Sequence, residues 1–324
     1  MSDGRYACSH CRNSVGYLRI RGRGSTTDGL AKYGGFVESA DHPEPARRAL
    51  PDDGSATPTV GLSTSAVFPD STGSAFQLAA QLGYDGIELM VGTDAASADL
   101  DQVRQLRDEY QVPVLSVHAP CLMFTPRVWG TDPGEKLRRS CEAALLLGSD
   151  LVVVHPPFAW QRSYASTFTE TVYELSERTG IIIAVENMYP WRAPGLIAQA
   201  YAPDWDPTDQ PYEWLTLDLS HAATAGARSL SYLDDWGPRL RHLHLTDGSG
   251  SVLDEHLLPG EGNQRSWEVV ETLLRRGYQG HIIHEVNTRR AATADERAQL
   301  LADCLDQTRR HISAAVQAGR SEGQ

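Results

Sequence analysis

Three residues in the second half of the chain could bind a transition metal. His244 ends a short stretch in which two histidines alternate with two leucines, and the pair Asp254 and His256 follows in a turn-rich segment. A period of two places His242 and His244 on the same face of a predicted β-strand. Imidazole and carboxylate ligands together suit zinc, manganese or iron better than magnesium or calcium. A histidine within a strand is more often structural, so this stretch alone only suggests a metal site.

The same arrangement recurs along the chain, because ligand-type side chains stand where several predicted strands end. They are His118, His155, Glu186, Asp218 with His221 three residues later, and Glu285. The carboxyl ends of parallel strands meet at one mouth of a closed barrel, where active sites are built. Six consecutive strands, the third to the eighth, deliver such a residue, and a metal site at this mouth is therefore predicted.

The charges of these nine residues indicate how many ions they would hold. The set contains four carboxylates and five imidazoles. A single divalent ion would leave about two negative charges in excess, and crowded carboxylates would then keep protons. We therefore predict one to three ions of zinc, manganese or iron, with two or three giving the better balance.

The elements that position these residues begin at Thr59, where apolar strands and helices start to alternate. The predicted strands are 59–68, 86–92, 112–118, 151–155, 181–187, 215–219, 240–246 and 282–286. The predicted helices are 72–83, 100–110, 135–147, 167–179, 231–236, 267–276 and 294–318, and the one after the fifth strand is poorly marked. Eight such pairs predict an α/β fold, a single (β/α)8 TIM barrel over 59–318 with a tail at 319–324. An open doubly wound sheet would normally show a Gly-rich phosphate loop after its first strand, and none is present.

The remaining composition sets limits on the class of protein. Residues 1–58 are rich in Gly, Ser, Asp, Arg and Pro and predict a disordered N-terminal extension, in which Cys8 and Cys11 lack a second ligand pair. A net charge of -13 favours a soluble protein and disfavours a broad nucleic-acid surface. No apolar run is long enough to span a membrane, so no membrane partner is predicted. Five scattered cysteines suit a reduced, cytoplasmic setting, and a homo-oligomer is left open.

Seven motifs resemble the xylose isomerase-like TIM-barrel superfamily, which includes sugar phosphate isomerases/epimerases and the endonuclease IV family. They are VHAP at 117–120, VHPP at 154–157, VEN at 185–187, DLSH at 218–221, HLTD at 244–247, DEHLLPGEGN at 254–263 and HEV at 284–286. The isomerase and epimerase branches use one metal, and their ligands fall on Glu186, Asp218, His244 and Glu285. The endonuclease IV pattern implies three zinc ions and adds His118, His155, His221, Asp254 and His256, with Glu186 bridging.

The chain also departs from the nuclease pattern. It carries MYPWRAPG at 188–195, where the nucleases have a Gly/Gln-rich stretch, and no Lys/Arg run lines the loops at the mouth. Because neutralising many phosphates needs Lys and Arg, nucleic acid is a disfavoured partner. Trp160 and Trp191 could instead stack on a sugar, and Arg162 and Arg192 could bind a phosphate group.

Three functions follow from the residues and the resemblance. The first is a metal-dependent isomerase or epimerase of a small sugar or sugar phosphate, in which Glu186 and Glu285 would transfer a proton through an enediolate. The second is a multinuclear-metal phosphodiester hydrolase that resembles endonuclease IV. The third is a dehydratase or redox enzyme on the same barrel. The acidic composition favours the first function, whereas the nine-residue set favours the second.

Overall fold

The strands of the protein form one closed barrel and one small hairpin. The computed structural model describes residues 57–92, 94–120, 125, 127–193 and 195–322. In chain order the strands are β1 Thr59–Ser63, β2 Gly86–Met90, β3 Val114–His118, β4 Leu151–Val154, β5 Ile182–Glu186, β6 Trp191–Ala193, β7 Leu196–Ala198, β8 Trp214–Asp218, β9 Leu240–His244 and β10 His281–His284. The barrel order is β1-β10-β9-β8-β5-β4-β3-β2, and all eight neighbours pair in parallel. The predicted TIM barrel is confirmed.

Nine α-helices surround the barrel in the described part of the chain, and several of them begin or end at a capping residue. They are α1 Thr72–Leu82, α2 Ala95–Ala98, α3 Leu100–Tyr110, α4 Pro133–Leu147, α5 Arg162–Thr179, α6 Leu219–Ala225, α7 Ser229–Trp236, α8 Ser266–Arg275 and α9 Ala294–Glu322. At the start of α4, the side chain of Asp132 accepts a hydrogen bond from the backbone N–H of Glu135 at 2.7 Å. At the end of α1, Gly83 takes a left-handed conformation that a β-carbon would disfavour.

Several predicted boundaries differ from the structure. The first strand stops at Ser63, whose hydroxyl caps a 3-10 helix over Thr64–Val67. The weakly marked helix after the fifth strand is replaced by the antiparallel hairpin β6–β7. Helix α5 starts earlier than predicted, and α9 extends to Glu322, beyond the predicted end at residue 318. The predicted extension, 1–58 with Cys8 and Cys11, lies outside the described residues apart from its last two positions.

The core lies between the barrel strands and the surrounding helices. All four residues of β4 are buried, as the apolar run LVVV predicts for a strand covered on both faces. Phe76 of α1, Leu62 of β1 and Leu217 of β8 are wholly buried in this core, and burying each side chain contributes about 1.5–3 kcal/mol. Among the described helices, none is long and apolar enough to cross a membrane. This packed scaffold fixes the positions of the strand ends at the mouth.

Candidate metal centre

Glu186, the last residue of β5, lies at the centre of the ligand-type side chains. It is wholly buried. Its Oε2 lies 3.2 Å from Nε2 of His118 and 3.0 Å from Nε2 of His155. Its Oε1 lies 3.1 Å from Nδ1 of His244. Each oxygen of the carboxylate therefore faces a different set of imidazoles, so Glu186 could contribute one oxygen to each of two cations.

The first set, called the inner group, consists of Glu186, Asp218, His244 and Glu285. One ligand atom from each lies within 4.8 Å of all the others. Nδ1 of His244 is 2.9 Å from Oε2 of Glu285 and 3.5 Å from Oδ2 of Asp218. That Asp218 oxygen is buried and has no hydrogen-bond partner in the described part of the chain. A buried carboxylate oxygen without a partner is unfavourable, and a divalent cation would satisfy it. The residues of the inner group fit a metal ion.

Two further sets adjoin the inner group. His118 and His155 meet Glu186 within 4.8 Å, and His221 and His256 meet Asp218 within the same limit. Asp254 belongs to the latter set as well. Its Oδ2 lies 3.2 Å from Nε2 of His221 and 3.0 Å from Nε2 of His256. The structure thus brings all nine predicted ligands together at one mouth of the barrel.

The ring orientation of three histidines suits metal binding. In each of them Nδ1 lies against a backbone carbonyl oxygen, which can only accept, so Nδ1 carries the proton. Nε2 is then the nitrogen that would offer its lone pair to an ion, and it points toward the carboxylates, as metal-binding histidines require. The pairs are His118 with Ala119 at 3.1 Å, His221 with Asn187 at 2.9 Å and His256 with Glu285 at 2.6 Å.

The loop that carries Asp254 and His256 is held in place by hydrogen bonds to the side chains of Asp247 and Ser220. Asp247 ends the motif HLTD, and its carboxylate accepts hydrogen bonds from the backbone N–H groups of Gly260 and Gln264, each at 3.0 Å. His256 has a φ of 46°, in the left-handed region that non-glycine residues rarely adopt. The Ser220 hydroxyl accepts from the backbone N–H of His256 at 2.9 Å and helps to hold this conformation.

Burial and charge compete within the cluster. Burial alone would raise the pKa of Glu186, but His244, His155 and His221 outweigh it and hold that pKa well below its usual range. Burial opposes a charge on His256, but Asp254 and Asp218 outweigh it and raise the pKa of His256 to about 10. Protons on imidazoles therefore balance the carboxylates when no cation does.

This balance predicts that metal uptake releases protons. A pKa of about 10 means that His256 is protonated at pH 7, whereas a metal ligand must be neutral. Ion binding should release at least about one proton per chain at pH 7, and apparent affinity should rise with pH up to about 10. Calorimetric titrations with Zn(II) in buffers of different ionisation enthalpy measure the number of protons released. Equal heats in all buffers would contradict it.

The four residues predicted to bind substrate are placed differently. The Trp160 and Trp191 rings lie 5.7 Å apart, and Trp160 stacks on Phe158 at 4.4 Å, beside a cavity of about 310 Å³ that reaches His155. Arg192 donates to the carbonyl oxygen of Ala225 at 2.8 Å, so it is engaged with the backbone. Arg162 is exposed at the first position of α5. The structure thus brings the two tryptophans together, whereas one arginine is bound to the backbone and the other is exposed.

Several residues that support the cluster were missed from the sequence. Glu88 is wholly buried beside His242 and His244. Asn187 binds the backbone of Asp218 from both sides, donating at 3.0 Å and accepting at 2.8 Å. For Glu88 a signal was present, because it is the single charged residue in the apolar strand GIELM. For Asn187 only the neighbouring strand reveals the role.

The geometry defines a class: a TIM barrel whose strand ends gather carboxylates and imidazoles in groups that could hold a metal ion. Residues 76–308 match the family model described as xylose isomerase-like TIM barrel. The chain belongs to this family, as the motifs had indicated.

The relatives include proteins of differing likeness. An uncharacterized protein of Mycobacterium tuberculosis is 48% identical over 272 residues, which cover 78% of this chain and 97% of that protein. Fructoselysine 3-epimerase of Escherichia coli O157:H7 is 26% identical over 249 residues, which cover 66% of this chain and 85% of that enzyme. The crystal structure of 3-keto-D-glucoside 4-epimerase from E. coli has a TM-score of 0.58 at 18% identity, covering 78% of this chain and 99% of that one. The similarity to this last protein, at 18% identity, is a similarity of fold alone.

Proposed function

We propose that the protein is a divalent-metal-dependent isomerase or epimerase of a small sugar or sugar phosphate. The observation that carries the proposal is the convergence of two carboxylates, Glu186 and Glu285, on Nδ1 of His244 at 3.1 and 2.9 Å. The relative of 26% identity that is a fructoselysine 3-epimerase supports the same class of reaction. Zinc, manganese and iron are the ions that this mixture of imidazole and carboxylate ligands suits.

The two carboxylates differ in what they can do. Bound divalent ions would supply Lewis acidity, which polarises a substrate carbonyl and acidifies the neighbouring C–H bond. The side chain of Glu285 is 11% exposed at the mouth, whereas that of Glu186 is wholly buried. Glu285 is therefore better placed to accept a proton from a substrate carbon, and Ser65 donates to its Oε1 at 3.4 Å. In a site that holds one ion, the Glu186 oxygen that faces His118 and His155 would stay free of the cation, and Glu186 would return the proton through that oxygen.

A multinuclear phosphodiester hydrolase is the second candidate. One observation favours it: Asp254 and the four histidines His118, His155, His221 and His256 join the inner group at the same mouth. A single-metal isomerase needs none of these residues as ligands. Against a DNA substrate stands the net charge of -13, because an acidic protein binds a polyphosphate chain weakly.

Solvent exchange and DNA cleavage separate the two candidates. We expect the protein, supplied with Mn(II) or Zn(II) in deuterated water, to exchange a carbon-bound hydrogen next to the carbonyl of a ketose or ketose phosphate. The measurement is proton NMR over a sugar panel, with chelator-treated protein as the control. We expect no incision of abasic-site DNA at moderate salt. Chelator-sensitive incision with no exchange on any sugar would instead favour the hydrolase.

A further inference from the structure

Glu88 lies beneath the inner group, on the opposite side of the His244 ring. It belongs to β2, whereas His244 ends β9, and these strands are not neighbours in the barrel. Glu88 is wholly buried, yet its carboxylate points into the barrel interior toward His244, His242 and Ser116. A buried carboxylate persists only where hydrogen-bond donors surround it, so these contacts require explanation.

Three donors converge on this carboxylate. The hydroxyl of Ser116 donates to Oε2 of Glu88 at 2.9 Å, and Nε2 of His242 lies 2.9 Å from the same oxygen. Nε2 of His244 lies 3.2 Å from Oε1 and 3.3 Å from Oε2. An ionised carboxylate only accepts hydrogen bonds, so the nitrogen of each imidazole that faces it carries a proton.

This contact sets the form of His244. With one proton fixed on Nε2, Nδ1 is the nitrogen that can give up its own proton and offer a lone pair to an ion. Nδ1 is the atom that lies against Glu186, Asp218 and Glu285. In His118 and His256 the corresponding partner is a neutral backbone carbonyl. In His221 it is the carbonyl of Asn187 together with Oε1 of Glu186 at 3.2 Å. His244 differs from them because its ring nitrogen away from the inner group faces Glu88, a carboxylate that is not one of the nine predicted ligands. A carboxylate partner orients a metal-binding imidazole and makes it a stronger ligand.

We propose that Glu88 is a positioning residue of the metal centre, which holds His244 in the tautomer and orientation that present Nδ1 to an ion. The inference rests on the proposed inner group. Glu88, His242 and His244 also lie close enough together to hold an ion themselves. An ion there would require His244 to lose both ring protons and bridge two metals, whereas the hydrogen bonds to Oε2 of Glu88 need no such step. Oε1 of Glu88 has no hydrogen-bond partner in the described part of the chain and lies 3.2 Å from Nε2 of His244.

The test is the Glu88→Gln variant, titrated with Co(II) as the full chain. Glutamine keeps the shape but removes the charge, so we expect Co(II) affinity for one ion per chain to fall about 10- to 100-fold. The visible absorption of that ion should shift, while the number of ions bound at saturation stays as in the wild type. The control is Ser116→Ala, which removes a donor to Glu88 but leaves its contact with His244. Its Co(II) spectrum should match the wild type.

Each other outcome contradicts the proposal in a distinct way. Wild-type affinity and spectrum in Glu88→Gln would show that Glu88 does not act on the ion. Loss of one ion at saturation would make Glu88 a ligand instead. Failure of the wild type to bind Co(II) would overturn the metal centre as well. If the variant does not fold, the wild type loaded with Zn(II) and labelled with 15N-histidine gives the answer by NMR. A proton on Nδ1 of His244, rather than on Nε2, would overturn the proposal.

Discussion

Glu186→Gln is expected to lose bound metal from two groups at once and to lower catalytic activity about 100- to 10,000-fold, the range for losing a general acid or base. The reason is geometric. One oxygen of Glu186 faces His244 and the other faces His118 and His155, so this carboxylate contacts both sets. An amide has one acceptor oxygen, and its NH2 group cannot bind a cation.

Elemental analysis and solvent-deuterium exchange measure the two effects. The matched control is Glu135→Gln, the same substitution on the outer surface of α4. Glu135 pairs with Arg138 and Arg139 near the solvent, and such pairs contribute about 0–1 kcal/mol. The control should keep the metal content and activity of the wild type. Full metal content in Glu186→Gln would show that the carboxylate does not bridge the two groups.

The sequence predicted which residues lie at the mouth of the barrel, because that prediction needs only the ends of the strands and their parallel direction. His118, Glu186, Asp218 and His244 each end a strand, and strands that run parallel must end at one side. The apolar runs predicted the positions of the strands, because a strand that is covered on both faces carries apolar side chains on both of them. The gathering of the ligands followed from topology alone, without knowledge of any distance.

Contacts across the barrel could not be predicted in the same way. Glu88 and His244 are separated by 156 positions and belong to strands that do not pair. Only the diameter of the barrel and the direction of each side chain bring them together. The hairpin β6–β7 is a different case, because Pro190 and Pro194 in MYPWRAPG disfavour a helix at that position. That signal was present in the sequence and indicated correctly that the helix was weak.

Removing the metal is expected to lower the melting temperature of the protein by about 10 °C for each ion lost. A ligand that binds only the folded state, held at 1,000 times its dissociation constant, stabilises that state by about 4 kcal/mol. In a domain of this size each kcal/mol shifts the melting temperature by about 2–4 °C. The measurement is thermal unfolding followed by circular dichroism, with chelator and then with Zn(II) restored in excess.

Variants in the loop and in the inner group show how much of the change in melting temperature each ion contributes. Asp254→Ala removes the carboxylate that contacts both His221 and His256. If each group holds its own ion, this variant should bind one ion fewer and show a smaller shift on chelation. His244→Ala should leave the ions outside the inner group in place. A single ion per wild-type chain, with the same shift in Asp254→Ala, would contradict the multinuclear centre. It would leave Glu186, Asp218, His244 and Glu285 as the complete site, because those four side chains satisfy one cation without help from the loop.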